Sequence, residues 1–277
     1  MSNKLEIDTA LISTAVRAAM SAGSEILDVY CDPEFTVEYK SDKSPLTKAD
    51  IRANTVITSI LRETDLPILS EEGVHLSFNE RAIWNRFWLI DPLDGTSEFV
   101  ARTGDFCVNV ALIEKTEPII GVIYSPVSDT IWFGAIGYGS YKIENATNVI
   151  DDFSYVSLIT LAIKLPFRNT NEEFVFITSR SNVNAATLSF IETVKIEYPK
   201  NSIMHIGSAL KFTALAEGYA DLYPRFAPTS EWDTGAGHAI LRSIGGNIFQ
   251  EQTNIPLVYN KPNLDNPGFV AFLKPRR

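Results

Sequence analysis

Cysteine is scarce in this chain: Cys31 and Cys107 are the only two among 277 residues. Two such residues build no disulfide framework and have no zinc-site spacing, so a reducing compartment fits. Also missing is any run approaching the roughly 18 apolar residues of a membrane helix. The opening Met1-Ser2-Asn3-Lys4-Leu5-Glu6 starts no signal peptide, because Asp8 interrupts an apolar core, and a cytoplasmic protein is the expectation. Positive charge is in deficit, with 24 Lys+Arg against 34 Asp+Glu and a net charge of -10. That argues against a nucleic-acid partner. It leaves room for a small phosphorylated ligand, because bound metal can reverse the local sign. What the chain does have is apolar content, 45% of its residues. One large or two ordinary domains are expected, burying roughly 70–75% of the unfolded surface.

The organising stretch is Trp88-Leu89-Ile90-Asp91-Pro92-Leu93-Asp94-Gly95-Thr96. Phe87 to Ile90 reads as a buried strand. Pro92 has no N–H for a central ladder, so the strand is expected to stop there. Gly95 permits a tight turn. Two carboxylates three residues apart, with a hydroxyl two residues on, thus stand at a strand end, where α/β proteins bind ligands. Such close acids repel unless a cation lies between them. An Asx-type turn capping the strand meets the same pattern, and spacing alone leaves both open. A second acidic strand end, Pro67-Ile68-Leu69-Ser70-Glu71-Glu72-Gly73, lies twenty residues earlier and favours a metal cluster.

Around this stretch the first half reads as α+β. Leu5 to Tyr30 and about Lys48 to Glu63 have helical spacing, with Asp50 in a first turn, where it also suits the helix dipole. Val37–Lys40 alternates like a strand, and Ser41–Thr47 is polar and turn-rich. Strands are expected at 106–113, 119–124, 130–135 and 139–143, on short turns that imply antiparallel pairing. A boundary falls within or just after Glu144–Tyr155, dividing 1–154 from 155–277. Beyond it, strands are expected at 157–163, 174–178, 194–198, 220–223, 247–249 and 268–272. They alternate with helices at 184–192, 209–217 and 232–243, implying a partly parallel, covered sheet.

Asp233, in the first turn of the last helix, would by itself be a cap. With Glu71, Asp91 and Asp94 it completes a cage of oxygen ligands, to which the Leu93 carbonyl adds, and which favours Mg²⁺ over zinc. Two such ions roughly 3.5–4 Å apart are a known device for phosphate-ester displacement. Candidate phosphate-holding residues follow: Ser208 at a helix start, Lys211 one turn on, Arg225 among aromatic neighbours, and Arg180 at a strand end. Lys211 and Arg180 would be equally at home as solvated surface.

Three segments in order, Glu71-Glu72-Gly73, Asp91-Pro92-Leu93-Asp94-Gly95-Thr96 and Trp232-Asp233-Thr234-Gly235-Ala236-Gly237, resemble the magnesium-dependent, lithium-sensitive inositol monophosphatase superfamily. Pro45–Asp50, Gly207–Phe212 and Ala216–Asp233 resemble its bacterial 3'(2'),5'-bisphosphate nucleotidases. The resemblance covers nearly the whole chain. It implies a layered α-β-α-β-α sandwich of the α/β class, with a metal-binding domain over 1–154 and a substrate-binding domain over 155–277. It implies that Glu71, Asp91 and the Leu93 carbonyl hold one Mg²⁺, that Asp91, Asp94 and Asp233 hold another, and that Asp50 assists at a third, looser site. Glu71 with Thr96 would position the attacking water, and Asp50 would act with Glu71 on it. The Gly95 and Thr96 amides would receive the scissile phosphate. Ser208, Lys211 and Arg225 would hold the nucleotide, with Arg180 nearby and Glu231 beside the ribose. The implied reaction removes the 3'-phosphate of adenosine 3',5'-bisphosphate, in a monomer or homodimer, with inhibition by lithium; the alternatives are inositol monophosphatase or fructose 1,6-bisphosphatase activity on the same metal centre, or a non-catalytic nucleotide sensor. One departure stands out: Asn182 replaces a histidine frequent in the related Ser-Arg-Ser-His segment. An altered contact at the pocket rim is the expectation there.

Overall fold

The computed structural model describes residues 7–32, 37–39, 45–74, 76–168, 173–180, 183–251 and 253–273. Along the first half run α1 (Thr9–Tyr30), β1 (Val37–Tyr39), β2 (Pro45–Thr47), α2 (Lys48–Leu61), β3 (Ile68–Ser70), α3 (Phe78–Arg81), β4 (Arg86–Asp94) and α4 (Thr96–Val100). The meander β5 (Cys107–Glu114), β6 (Glu117–Ser125), β7 (Thr130–Ala135) and β8 (Gly139–Glu144) follows, then α5 (Ala146–Val149), α6 (Tyr155–Leu161) and β9 (Ile163–Lys164). The remainder comprises β10 (Phe174–Thr178), α7 (Ala185–Lys195), β11 (Asn201–His205), α8 (Leu210–Glu217), β12 (Tyr223–Arg225), α9 (Glu231–Ser243), β13 (Asn247–Gln250) and β14 (Phe269–Phe272).

Strands β3 to β9 pair in sequence order as one seven-stranded sheet, with β3–β4 parallel and the rest antiparallel. Alternation along these strands gives the sheet two apolar faces. Trp88, Ile90, Val108, Val110 and Val122 join the α1 and α2 side chains in one core. Phe87, Leu89, Ala111, Ile113 and Trp132 join α8 and α9 in another. Helix α9 lies so close to the sheet that a Cβ on Gly121 would strike the Ala236 carbonyl. Beyond α8 and α9 lies the second β layer, with β10–β11 parallel and β12-β14-β13 antiparallel, linked by a parallel bridge between Phe176 and Leu222. Val175 and Ile177 face α8 and α9, while Phe174 and Phe176 pack on Ile191 of α7. The order of layers is therefore α-β-α-β-α, as expected. Among the described residues no helix is long and apolar enough to cross a membrane.

Local expectations fail at five places. Pro92 does not end β4. From Asp91↔Asn109 to Asp94↔Cys107 the strand takes three steps against two in β5, a bulge of one extra residue. The missing N–H of Pro92 falls where the ladder is already interrupted, so it costs no pairing. The β-branched run at 157–163 is mostly helix α6. Ser154 caps it by accepting the Ser157 N–H, and Leu158 reaches the first core. The run at 194–198 ends α7 instead of pairing: the Val194 carbonyl accepts the N–H groups of both Glu197 and Tyr198, and Ile196 is exposed. The strand comes later, as β11. The strand expected at 220–223 begins only at Tyr223, and the turn-rich Pro45–Thr47 pairs with β1 instead. The first residues of the opening helix, the turn at 41–44 and Asn182 lie outside the described residues.

Candidate active site

A three-residue step along a regular strand points side chains to opposite faces. The bulge changes that parity. Asp91 stands opposite Asn109 and Asp94 opposite Cys107, and residues 107 and 109 share a face, so both acids point toward α8 and α9. The Leu93 N–H donates to Asp91 Oδ1 at 3.1 Å inside the bulge. Parallel pairing of Ser70 with Ile90 carries Glu71 to the same strand end, where its N–H donates to the Ile90 carbonyl. Helix α9 aims its first turn at this point. Ser230 and Asp233 form a reciprocal capping box in which Asp233 Oδ2 accepts the Ser230 N–H at 2.8 Å. Glu71, Asp91 and Asp233 each bring a carboxylate oxygen within 4.8 Å of the others.

Asp94 stands beside this trio. Its Oδ2 accepts the Ala209 N–H at 2.5 Å and the Asn109 amide at 3.3 Å. Burial, and then the charges of Glu71, Asp94 and Asp233, push the Asp91 carboxyl well above its ordinary value. Burial, and then Asp94, push Asp233 up to about 8. Burial raises Asp94 to about 6 against the opposing pull of Lys211. Every donor here is oxygen, Asp91 is buried and the others half-buried, and the charge of Glu71 raises Asp91, Asp94 and Asp233. A hard divalent cation fits that donor set, since its charge would remove the repulsion. Glu71, Asp91, Asp94, Asp233 and the Leu93 carbonyl would hold it.

Thr96 opens α4 after Gly95, whose φ of 92° suits glycine. The Thr96 hydroxyl lies 3.2 Å from the Leu93 carbonyl and 3.3 Å from Asp50 Oδ1. Asp50 is the third residue of α2 and completes a capping box with Thr47, whose N–H and hydroxyl both reach Oδ2 at 2.7 Å. Burial raises Asp50 to about 6, opposed by those bonds.

Beside the acids, the cavity of about 210 Å³ is lined by Ser208, Lys211, Tyr223, Arg225 and Ser179. Lys211 Nζ donates to the Ser208 carbonyl at 2.5 Å. Burial lowers its pKa to about 8 although Asp94 opposes the shift. Arg225 Nη1 donates to Ser179 Oγ at 2.7 Å and Nη2 to the Pro228 carbonyl at 3.3 Å. Of the residues singled out in the sequence, Glu71, Asp94, Gly95, Thr96, Ser208, Lys211, Arg225 and Asp233 line this cavity, with Asp91 buried beside it. Two do not. Arg180 is half-exposed and pairs with Asp105 at 2.7 Å on the wall of a neighbouring groove. Glu231 is fully buried, accepting from the Asn260 and Lys261 N–H groups and from Lys261 Nζ. Sequence reasoning passed over Ser179 and Asn109. Asn109 carried a signal, being the one amide in the otherwise apolar run Cys107–Ile113.

A cavity lined by clustered oxygen acids and by the cations Lys211 and Arg225 is suited to phosphate esters. The model of the inositol monophosphatase family matches residues 8–268, and the chain belongs to that family. It is an enzyme, a phosphatase of a family that uses divalent metal. A 3'(2'),5'-bisphosphate nucleotidase CysQ of Salmonella typhimurium is 38% identical over 263 residues, covering 94% of this chain and 98% of that protein. The crystal structure of CysQ from Bacteroides thetaiotaomicron superposes with a TM-score of 0.89 at 39% identity, covering 96% of this chain and 98% of that one. The extragenic suppressor protein suhB of Bartonella henselae shares the fold at a TM-score of 0.71 and 22% identity, covering 95% and 93%.

Proposed function

We propose that this enzyme removes the 3'-phosphate of adenosine 3',5'-bisphosphate, giving AMP and phosphate, with two Mg²⁺ ions and a third, looser one. One observation carries the choice of a bisphosphate. The cavity lined by Glu71, Asp94 and Asp233 is lined as well by two cationic side chains, Lys211 and Arg225. A substrate with a second phosphate besides the one at the acids fits that pairing of charges, and the relatives described as bisphosphate nucleotidases support it. In this reading residues 1–154 supply most of the acids and 155–277 the residues that hold the phosphate left intact.

When bound, the cations supply Lewis-acid charge for the departing oxygen and make water more acidic. The chain's own residues do the rest. Glu71 and Thr96 orient the attacking water in line with the ester bond. Asp50, at 3.3 Å from the Thr96 hydroxyl, accepts its proton so that the threonine oxygen turns a lone pair to the water. The Gly95 and Thr96 amides meet the scissile phosphate. Lys211, Arg225 and Ser208 hold the other phosphate, the guanidinium fixed by Ser179 and the Pro228 carbonyl. Water adds to phosphorus, the ester oxygen leaves with a proton, and the products are an alcohol and inorganic phosphate.

The test compares phosphate release from adenosine 3',5'-bisphosphate, inositol monophosphate and fructose 1,6-bisphosphate, with and without MgCl₂. Preference for the nucleotide, lost without magnesium, is expected. A flat profile or a preference for either sugar or cyclitol would displace the nucleotide as substrate.

A further inference from the structure

Strand β5 is buried along Cys107–Ile113, and Asn109 within it is 1% exposed. A buried amide is costly unless its polar atoms are matched. Those of Asn109 are matched within the site. Its Nδ2 donates to Asp94 Oδ2 at 3.3 Å, and the Cys107 thiol lies 3.6 Å from its Oδ1. Only this assignment of oxygen and nitrogen turns a donor toward the carboxylate. The same Asp94 oxygen receives the Ala209 N–H from the turn before α8. These two nitrogen donors from different layers, with the Cys107 thiol at 3.9 Å, converge on Oδ2 and fix the rotation of the carboxylate about its own axis. The other oxygen is left to the cavity that Asp94 lines. Asn109 also stands directly opposite Asp91 in the β4–β5 ladder, beside both acids of the bulge.

We propose that Asn109 is a positioning residue: its amide holds the Asp94 carboxylate in the orientation needed for cation binding. This rests on the cation-assisted reading above. Asn109 does not line the cavity, so it acts on the reaction through Asp94 and not through the substrate.

Asn109→Leu keeps nearly the same shape and removes the donor, whereas Asn109→Ala removes both. Mn²⁺ binding is read from loss of the free-ion paramagnetic resonance signal, and kcat and KM are measured beside it. Both variants should bind Mn²⁺ about 10- to 100-fold more weakly than the parent. At saturating cation the KM for adenosine 3',5'-bisphosphate should stay within about twofold, because the phosphate-holding end is untouched. A packing role makes a different forecast: leucine would restore Mn²⁺ binding and alanine would not. Parental Mn²⁺ affinity in Asn109→Leu overturns the proposal. So does parental affinity in Asn109→Ala, which carries the test if leucine does not fold. A parent that binds no Mn²⁺ removes the cation site itself. A parent that binds, with variants that bind equally, removes only the role of Asn109.

Discussion

Two helices begin at the active site with the same local device, and they use it differently. Helix α2 starts with Thr47 and, three residues on, Asp50; helix α9 starts with Ser230 and, three residues on, Asp233. In each, the acid closes a capping box with Oδ2. At Asp50, Oδ1 meets the Thr96 hydroxyl. Asp233 instead meets Glu71 and Asp91. Burial raises both acids, but Asp50 only to about 6 and Asp233, with Asp94 adding its charge, to about 8. A carboxylate has two oxygens, so capping a helix and serving a reaction are not alternatives. In the proposed mechanism the surroundings set the role: facing a hydroxyl, Asp50 would be a proton acceptor, and facing other carboxylates, Asp233 would be a cation ligand.

The widest separation between the two should come from charge removal. Asp233→Asn can still accept the Ser230 N–H, so the cap survives. Phosphate release should nonetheless fall at least about 100-fold, with Mn²⁺ binding lost in parallel. The metal-free melting temperature should rise, because one of the repelling charges is gone. Asp50→Asn should lower kcat about 10- to 100-fold at saturating magnesium. Its Mn²⁺ affinity at the tighter sites should hold within about threefold. Loss of Mn²⁺ binding in both variants alike would erase the distinction drawn between the two helix starts.

A pH series sharpens it further. These acids have folded pKa values above their ordinary 3.8, so the folded chain holds protons that the unfolded chain has released. The stability they contribute is complete below 3.8 and is lost as pH rises, through about 6 for Asp50 and Asp94 and through about 8 for Asp233. Metal-free enzyme should therefore melt lower at about pH 8.5 than at about pH 6.5, and the gain from MgCl₂ should be larger at the higher pH. In Asp233→Asn that slope should be shallower, the part due to Asp91 remaining. The smallest effects belong to the caps themselves. Thr47→Ala and Ser230→Ala should each cost about 1 kcal/mol in urea unfolding. Only Thr47→Ala should also reduce kcat, since the Thr47 hydroxyl bonds the acid that serves Thr96.

Much of this site was legible because its acids lie at strand ends and first helical turns, positions that punctuation residues mark in a sequence. The layer order followed from the family resemblance, while the switch between meander and alternating elements spoke only for an α+β half and a partly parallel, covered sheet. Side-chain direction was not legible. Glu231 neighbours the cluster in sequence, yet Asn260 and Lys261 claim it from a distant loop. Arg180 likewise answers to Asp105. The β-branched runs at 157–163 and 194–198 favour strands locally. Capping by Ser154 and Asn184 started helices there first. Asn109 needed the register of β4 against β5 before its partner could be known.

That register also makes the segment after Asp91 intolerant of a change in length. Were the single supernumerary position in Pro92-Leu93 deleted, the ladder would run straight and Asp94 would swing to the opposite side of the sheet. Its charge would then lie among the hydrocarbon side chains under α1 and α2, with neither Ala209 nor Lys211 within reach. Shortening this loop by one residue would thus invert the acid's address while leaving its identity intact.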